Sequence, residues 1–179
     1  MAIEQNYFLL FDLPQHFTVD TALLSERYRS LQKELHPDRF AHQGEREQLR
    51  AVQATAHLND AMATLKSPLK RAAYLLKLKG IDTDSSSITI ADGKFLMQQM
   101  LLREQLEEIA GSATPMDELE ALLEQVQISE AELKGLLATL VASDDRDELQ
   151  QALEMLRKLQ FFDKLRHEIE LLEDQLADV

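Results

Sequence analysis

DTALLSERYRSLQKELHPD, residues 20–38, decides how the first half of this chain folds. Asp20 is suited to the N-cap of a helix, because its carboxylate can accept hydrogen bonds from the free amides of the first turn. Apolar side chains then recur at steps of four, three and four residues, which places them on one helical face: Leu24, Tyr28, Leu31 and Leu35. Pro37 ends the helix, since proline lacks an amide hydrogen and restricts His36 to extended geometry. The stretch therefore predicts one amphipathic helix that stops at His36-Pro37-Asp38.

A second amphipathic helix is predicted over residues 45–65. Its apolar positions have helical spacing: Leu49, Val52, Ala56, Leu58, Ala61 and Leu65. Two amphipathic helices joined by a short loop must pack antiparallel to bury their apolar faces. We therefore expect a helical hairpin with His36-Pro37-Asp38 exposed at its tip. A short apolar segment precedes the hairpin and is able to cover it: Tyr7, Phe8, Leu10, Phe11 and Leu13.

The composition favours an all-helical fold. The chain has 179 residues, is 45% hydrophobic and contains only 5 glycines and 4 prolines, while strand-type alternation is scarce. No apolar run approaches the length of a membrane span, and the N-terminus lacks the pattern of a secretory signal, so we expect a cytoplasmic protein. Cysteine is absent, which removes disulfides, thiolate metal sites and thiol catalysis.

The net charge of −13 is confined to the second half of the chain. Residues 1–90 carry 11 Lys/Arg and 11 Asp/Glu, whereas residues 91–179 carry 8 Lys/Arg and 21 Asp/Glu. This asymmetry predicts two modules of different surface chemistry. It also argues against nucleic-acid binding by the acidic half, because phosphate groups would be repelled.

The middle of the chain contains the predicted domain boundary. Ser67-Pro68 combines an N-cap residue with a proline at the first helical position, and the helix that starts there is expected over residues 68–79. Residues 81–92 contain three consecutive serines and scattered aspartates, which is typical of a connection between domains. We therefore predict a domain at residues 1–80, a connecting segment at 81–92 and a second domain at 93–179.

The second domain is predicted to be a three-helix bundle. Its helices are expected over residues 93–110, 115–142 and 146–176, and helices joined by short loops pack as antiparallel neighbours. Thr114 and Asp117 resemble a capping box at the start of the middle helix. Ser129 followed by Glu132 would suit a break in that helix, and we favour one continuous helix.

The first helix of the bundle has two apolar faces. A narrow arc is expected to face the core: Phe95, Leu102, Leu106 and Ile109. The other side carries what we call the Leu/Met patch, formed by Leu96, Met97, Met100 and Leu101. Carboxylates surround this patch, and an apolar cluster that faces away from a core is typical of a protein-binding surface, for which methionine is well suited. The alternative is that the bundle buries a wider arc and includes Leu96 or Leu101 in its core.

Five segments of the chain together resemble one known family. They are NYFLLFDLP at 6–14, LHPDRF at 35–40, SPLKRAAYLLKLKG at 67–80, FLMQQMLLREQLEEI at 95–109 and RKLQFFDKL at 157–165. The hairpin with His36-Pro37-Asp38, and the Leu58-Asn59-Asp60-Ala61 run in its second helix, is similar to a J domain. The whole set resembles the HscB co-chaperones of iron–sulfur cluster assembly. The resemblance covers nearly the whole chain and both predicted domains.

This resemblance implies a J domain followed by a three-helix bundle, without catalysis or a bound cofactor or metal. In the family, the J domain binds the chaperone HscA and stimulates its ATP hydrolysis, and the bundle binds the cluster scaffold IscU and delivers it to HscA. The chaperone-binding residues are accordingly expected to be Arg27, Arg29, Lys33, His36, Pro37 and Asp38. The scaffold-binding residues are expected to be Leu96, Met97, Met100, Leu101, Glu104, Glu108 and Phe161.

The chain departs from the family pattern within the scaffold-binding segment. It has Gln98, Leu101 and Gln105 where family members often carry acidic residues. The Leu/Met patch is therefore expected to be more apolar and less charged than in such relatives, which puts the importance of electrostatics for scaffold binding in doubt. Phe161 is expected to be a surface anchor, because Phe162 and Leu165 already occupy the core face of the last helix.

Other interpretations stay open at this point. The chain could be a general J-domain protein whose acidic bundle mediates dimerisation or binds other clients. The basic residues of the first hairpin helix could be an ordinary solvated face paired with Glu26 and Glu34. His36, Asp38 and His42 are metal-ligand types, but the sequence offers no evident fourth ligand. An enzyme is not expected, because the sequence has no Gly-rich phosphate loop and no nucleophile–base constellation.

Overall fold

The computed structural model describes residues 6–83 and 92–177, and in these ranges it contains helices and no strand. The helices are α1 (Tyr7–Leu10), α2 (Thr21–Leu35), a 3₁₀ helix (Pro37–Phe40), α3 (Glu45–Lys66), α4 (Pro68–Leu78), α5 (Gly93–Ile109), α6 (Pro115–Leu140) and α7 (Arg146–Ala177). The predicted all-α fold is confirmed. The chain divides into two compact units, the N-terminal unit Met1–Lys79 and the C-terminal unit Gly80–Val179. Within the predicted connecting segment, residues 84–91 lie outside the described residues.

The N-terminal unit is built on the hairpin of α2 and α3. Thr55 on α3 bonds to the carbonyl of Leu35 at the end of α2, and Asn59 bonds to Tyr28 one to two turns further from the loop, so the two helices are antiparallel. The predicted cap of α2 is confirmed, since Asp20 Oδ1 accepts from the amides of the first turn at 2.9 and 3.0 Å. The hairpin core is fully buried and consists of Leu24, Leu58, Ala61 and Leu65.

The segment before the hairpin packs on the unit as expected. Phe8, Phe11 and Leu13 are buried. The Tyr7 amide donates to Tyr74 Oη at 3.0 Å, and the two rings are stacked with centroids 4.5 Å apart. Burial raises the pKa of the Tyr7 phenol, with further contributions from the nearby charge of Asp60 and from Tyr74. These contacts fix α1 against α4, so the N-terminal aromatic residues belong to the core.

The predicted apolar face of α3 is wrong in its first half. Leu49, Val52 and Ala56 are exposed, and Ala51 is buried instead. The buried face is set by Leu58, and a residue seven positions earlier lies on the same face of an α-helix, which selects Ala51. Leu49 is nine positions earlier and lies on the opposite side of the helix.

The C-terminal unit packs α5 against the pair formed by α6 and α7. Its buried cluster draws on all three helices: Phe95, Leu102, Ile109, Leu119, Leu122, Val126, Phe162, Leu165 and Ile169. The middle helix is continuous through Ser129, whose hydroxyl donates to the carbonyl of Gln125, so the favoured single helix is confirmed. The capping-box prediction is wrong, because the Thr114 hydroxyl caps no backbone amide and instead pairs with Glu118 Oε1 at 3.3 Å.

One buried charged group lies between α6 and α7. The Glu130 carboxylate is buried and pairs with Lys134 Nζ at 2.6 Å and with Arg166 Nε at 3.5 Å. Arg166 also pairs with Asp163 and Glu170 on its own helix. A buried carboxylate is costly unless paired, so this network favours one register of α6 against α7. Within residues 6–83 and 92–177, no helix is both long and apolar enough to cross a membrane.

Candidate functional site

His36-Pro37-Asp38 lies where α2 ends and the 3₁₀ helix begins. His36 is the C-cap of α2 and also the N-cap of the 3₁₀ helix. Its Nδ1 accepts a hydrogen bond from the Asp38 amide at 3.3 Å. Its extended backbone (φ −58°, ψ 128°) agrees with the restriction that Pro37 imposes. The Asp38 side chain is 89% exposed, with one carboxylate oxygen 3.5 Å from His36 Nδ1. The tripeptide therefore presents a carboxylate to solvent from a fixed backbone turn.

Two polar side chains of α3 hold this turn in place. Thr55 Oγ1 donates to the Leu35 carbonyl at 3.1 Å, which satisfies one acceptor at the end of α2. Gln48 Nε2 donates to the carbonyls of Ala41 and Gln43 at 3.1 and 2.9 Å, which fixes the loop after the 3₁₀ helix. The sequence analysis did not identify either residue, because side-chain bonds to loop carbonyls leave no pattern in the sequence.

Three cations on α2 and the 3₁₀ helix form what we call the basic surface: Arg29, Lys33 and Arg39. All three are exposed. Arg39 Nη1 donates to the Lys33 carbonyl at 3.1 Å, and the two residues line a shallow depression together with Gln32 and His36. Arg39 was missed by the sequence analysis, although its position directly after Asp38 was the available signal. The surface offers positive charge beside the exposed Asp38 carboxylate.

Arg27 does not belong to this surface. Its guanidinium donates to the carbonyls of Phe11 and Asp12 and pairs with the Asp12 carboxylate at 3.2 Å. Asp12 has a positive φ of 48°, so the arginine holds a tight turn of the N-terminal segment. The structure therefore places Arg27 in a structural role, apart from the other predicted chaperone-binding residues.

The metal interpretation gains no geometric support. His42 is exposed, and among the described residues no group of three or more histidine, aspartate or glutamate side chains is placed to hold a metal ion.

The Leu/Met patch lies on α5, opposite the core face of that helix. Leu96, Met97, Met100 and Leu101 are 44, 58, 68 and 57% exposed. Glu104 and Glu108 continue the same side of the helix and are exposed as well. Phe95, Leu102 and Ile109 of the predicted core arc are buried and Leu106 is partly buried, whereas Leu96 and Leu101 lie outside the core. The structure thus brings six of the seven predicted scaffold-binding residues onto one continuous surface.

Phe161, the seventh, is placed differently from the prediction. It is half-buried and packs against the bundle core, with its ring edge-to-face to Phe95 at 5.6 Å between centroids. The Arg103 guanidinium lies 5.8 Å from its ring centroid and also pairs with Glu168 at 3.7 Å. Phe161 therefore packs mainly against Phe95 of α5 and the bundle core, and it projects less from the surface than expected.

The start of α5 is fixed by a cap and an ion pair. Asp92 accepts from the amides of Lys94 and Phe95 at 3.0 and 3.1 Å, and it pairs with Lys158 Nζ of α7 at 2.6 Å. The hydrogen bond from Lys158 and those from the two amides hold the pKa of the Asp92 carboxyl below its usual range. Lys158 Nζ also lies 5.2 Å from the Phe95 ring centroid. These contacts position the helix that carries the Leu/Met patch.

Comparison with known proteins identifies the family. A protein-family model described as "HSCB C-terminal oligomerisation domain" matches residues 91–170. A "Co-chaperone protein HscB homolog" of Shewanella frigidimarina is 45% identical over 173 residues, covering 97% of this chain and 99% of the relative. The chain belongs to the HscB family. A further HscB homolog, from Shewanella loihica, is 46% identical over 171 residues and covers 96% of this chain and 99% of its own length.

Solved HscB structures have the same fold. "Chaperone HscB from Vibrio cholerae" matches with a TM-score of 0.86 and 44% identity, covering 96% of this chain and 99% of that one. The human co-chaperone HscB matches with a TM-score of 0.82 and 29% identity, covering 95% of this chain and 83% of that one. The fold predicted from the sequence, a J domain followed by a C-terminal helical bundle, is therefore that of the HscB family.

Proposed function

We propose that this protein is an adaptor that binds two other proteins and performs no catalysis itself. Its N-terminal unit binds the ATPase domain of an HscA-type chaperone and stimulates ATP hydrolysis. Its C-terminal unit binds an IscU-type scaffold and delivers it to that chaperone, which assists the maturation of iron–sulfur proteins. Family membership supports the co-chaperone role, and the two exposed surfaces support the choice of partners.

The observation that carries the chaperone half of the proposal is the exposed Asp38 carboxylate beside the basic surface. Charged groups of both signs at one turn suit a partner with complementary charges and favour a fast, oriented encounter. Asp38 would meet a cation on the chaperone, and Arg29, Lys33 and Arg39 would meet acidic groups around it. If these contacts are stronger in the hydrolysis-competent state, binding shifts the chaperone toward that state and accelerates its ATPase.

The scaffold half of the proposal rests on the Leu/Met patch. Four large apolar side chains on one exposed face, next to Glu104 and Glu108, match the apolar centre and polar rim of a protein interface. The flexible side chains of Met97 and Met100 can adapt to a partner surface. Phe161 contributes indirectly in this proposal, by supporting the helix that bears the patch.

The test is an ATPase assay of the HscA-type chaperone with this protein, with the IscU-type scaffold, and with both together. The proposal expects stimulation by each and more-than-additive stimulation by both. No stimulation under any of the three conditions would refute it.

A second candidate function is self-association through the C-terminal unit. The description of the matching family model as an oligomerisation domain favours it. The Leu/Met patch would then bury itself against a second copy of the chain. Multi-angle light scattering over a range of concentrations separates the two candidates, since only self-association gives a dimer mass in the absence of other proteins.

A further inference from the structure

All sulfur in this chain is methionine sulfur. The sequence contains 6 methionines and no cysteine, so no thiol competes for oxidants within the molecule. Met97 and Met100 are 58 and 68% exposed, more than Met116 at 45%, while Met62 and Met155 are half-buried. The two most exposed of these five methionines therefore lie within the Leu/Met patch, three residues apart on α5.

We propose that Met97 and Met100 are sites of reversible oxidation by hydrogen peroxide and that their oxidation releases the scaffold. This inference rests on the proposed function of the Leu/Met patch and adds a form of regulation to it. In the reaction, the thioether sulfur attacks one peroxide oxygen, an S–O bond forms and the O–O bond breaks. The sulfur loses two electrons, and the second oxygen leaves as water. The product is methionine sulfoxide, which dedicated reductases convert back to the thioether.

The sulfoxide changes the patch at the atoms that a partner would cover. Its oxygen is a strong hydrogen-bond acceptor, and it must lose water when the interface closes. The exposed rim residues Glu104 and Glu108 are carboxylates and cannot donate to it when ionised. Burial of an unpaired acceptor weakens binding by about 5- to 150-fold. In the unbound protein the same oxygens face water, so the bundle keeps its fold.

The experiment uses the full chain treated with hydrogen peroxide, followed by catalase to remove the oxidant before the scaffold is added. Calorimetric titration then measures scaffold binding by treated and untreated protein, and mass spectrometry of peptides locates the sulfoxides. Two variants accompany the wild type. Met97→Leu with Met100→Leu keeps the apolar volume but cannot form sulfoxides there, and Met116→Leu is the matched control outside the patch.

We expect treated wild type and treated Met116→Leu protein to bind the scaffold at least tenfold more weakly than untreated protein. Treated protein with both patch methionines replaced by leucine should bind as it does untreated, and methionine sulfoxide reductases should restore the oxidised wild type. Equal binding by treated and untreated wild type would overturn the inference and leave the proposed function standing. Failure of untreated wild type to bind the scaffold would refute the scaffold half of the proposed function, and the inference with it.

Discussion

Truncation of the two patch methionines is the most direct test of how the C-terminal unit binds its partner. Full burial of a methionine side chain contributes about 1.5–3 kcal/mol. Docking can bury at most the exposed fractions of Met97 and Met100, which are 58 and 68%. Burial of both side chains can therefore contribute about 2–4 kcal/mol to the binding free energy, and alanine retains part of this contribution. We expect Met97→Ala with Met100→Ala to cost about 2 kcal/mol, or about 30-fold in Kd.

The same interface should respond weakly to salt. Glu104 and Glu108 are exposed rim charges, and an exposed ion pair contributes about 0.5 kcal/mol. Screening of two such pairs weakens binding by about fivefold. Hydrophobic contact should therefore outweigh charge at this surface.

The assay is calorimetric titration of the IscU-type scaffold at low and high salt. The matched control is Met116→Ala with Ile128→Ala, which removes apolar side chains of 45 and 55% exposure from α6, outside the patch. We expect the control to bind like wild type. A steep salt dependence combined with near-normal binding by the patch variant would refute the argument.

Three further outcomes follow from the geometry. Asp38→Asn should abolish ATPase stimulation with an unchanged Tm, because the side chain is 89% exposed; full stimulation by the variant would contradict its role. Thr55→Val removes the donor to the Leu35 carbonyl and should lower the free energy of unfolding in urea by about 1 kcal/mol, so an unchanged midpoint would count against the turn-holding role. Asp92→Asn removes the carboxylate that Lys158 and two amides stabilise, and its Tm should fall below that of wild type at neutral pH. Because the folded pKa of Asp92 is depressed, this Tm difference should shrink as the pH falls below about 4; a difference that persists in acid would exclude the ion pair as its cause.

The helices were predictable because their ends carry local signals. Asp20 and Ser67 with Pro68 bind backbone amides or fix φ within one turn, so the sequence around each of these ends is sufficient. The core-facing residues of α5 were equally predictable from their helical spacing. The exposure of Leu49 was not predictable, because the buried face of a long helix with two apolar faces is the one that the neighbouring helix covers.

The candidate site was predictable where it depends on which side chains of one helix are exposed. It was not predictable where it depends on contacts with side chains distant in the sequence. The Leu/Met patch follows from the opposite placement of two arcs on one helix. The environments of Arg27 and Phe161 were not predictable, because they come from residues far along the chain, Asp12 and Phe95 respectively. Asn59 is exposed and accepts a hydrogen bond from Tyr28 Oη at 2.9 Å, a long-range contact that the sequence does not predict.

The stacked pair of Tyr7 and Tyr74 has a practical consequence for spectroscopy. The chain contains 3 tyrosines and no tryptophan, and all three tyrosines lie in the N-terminal unit. Tyrosine fluorescence therefore reports on that unit alone, whereas far-ultraviolet circular dichroism records the helices of both. Comparing the two signals during one denaturant titration shows whether the units unfold together or in sequence, without any label added to the protein.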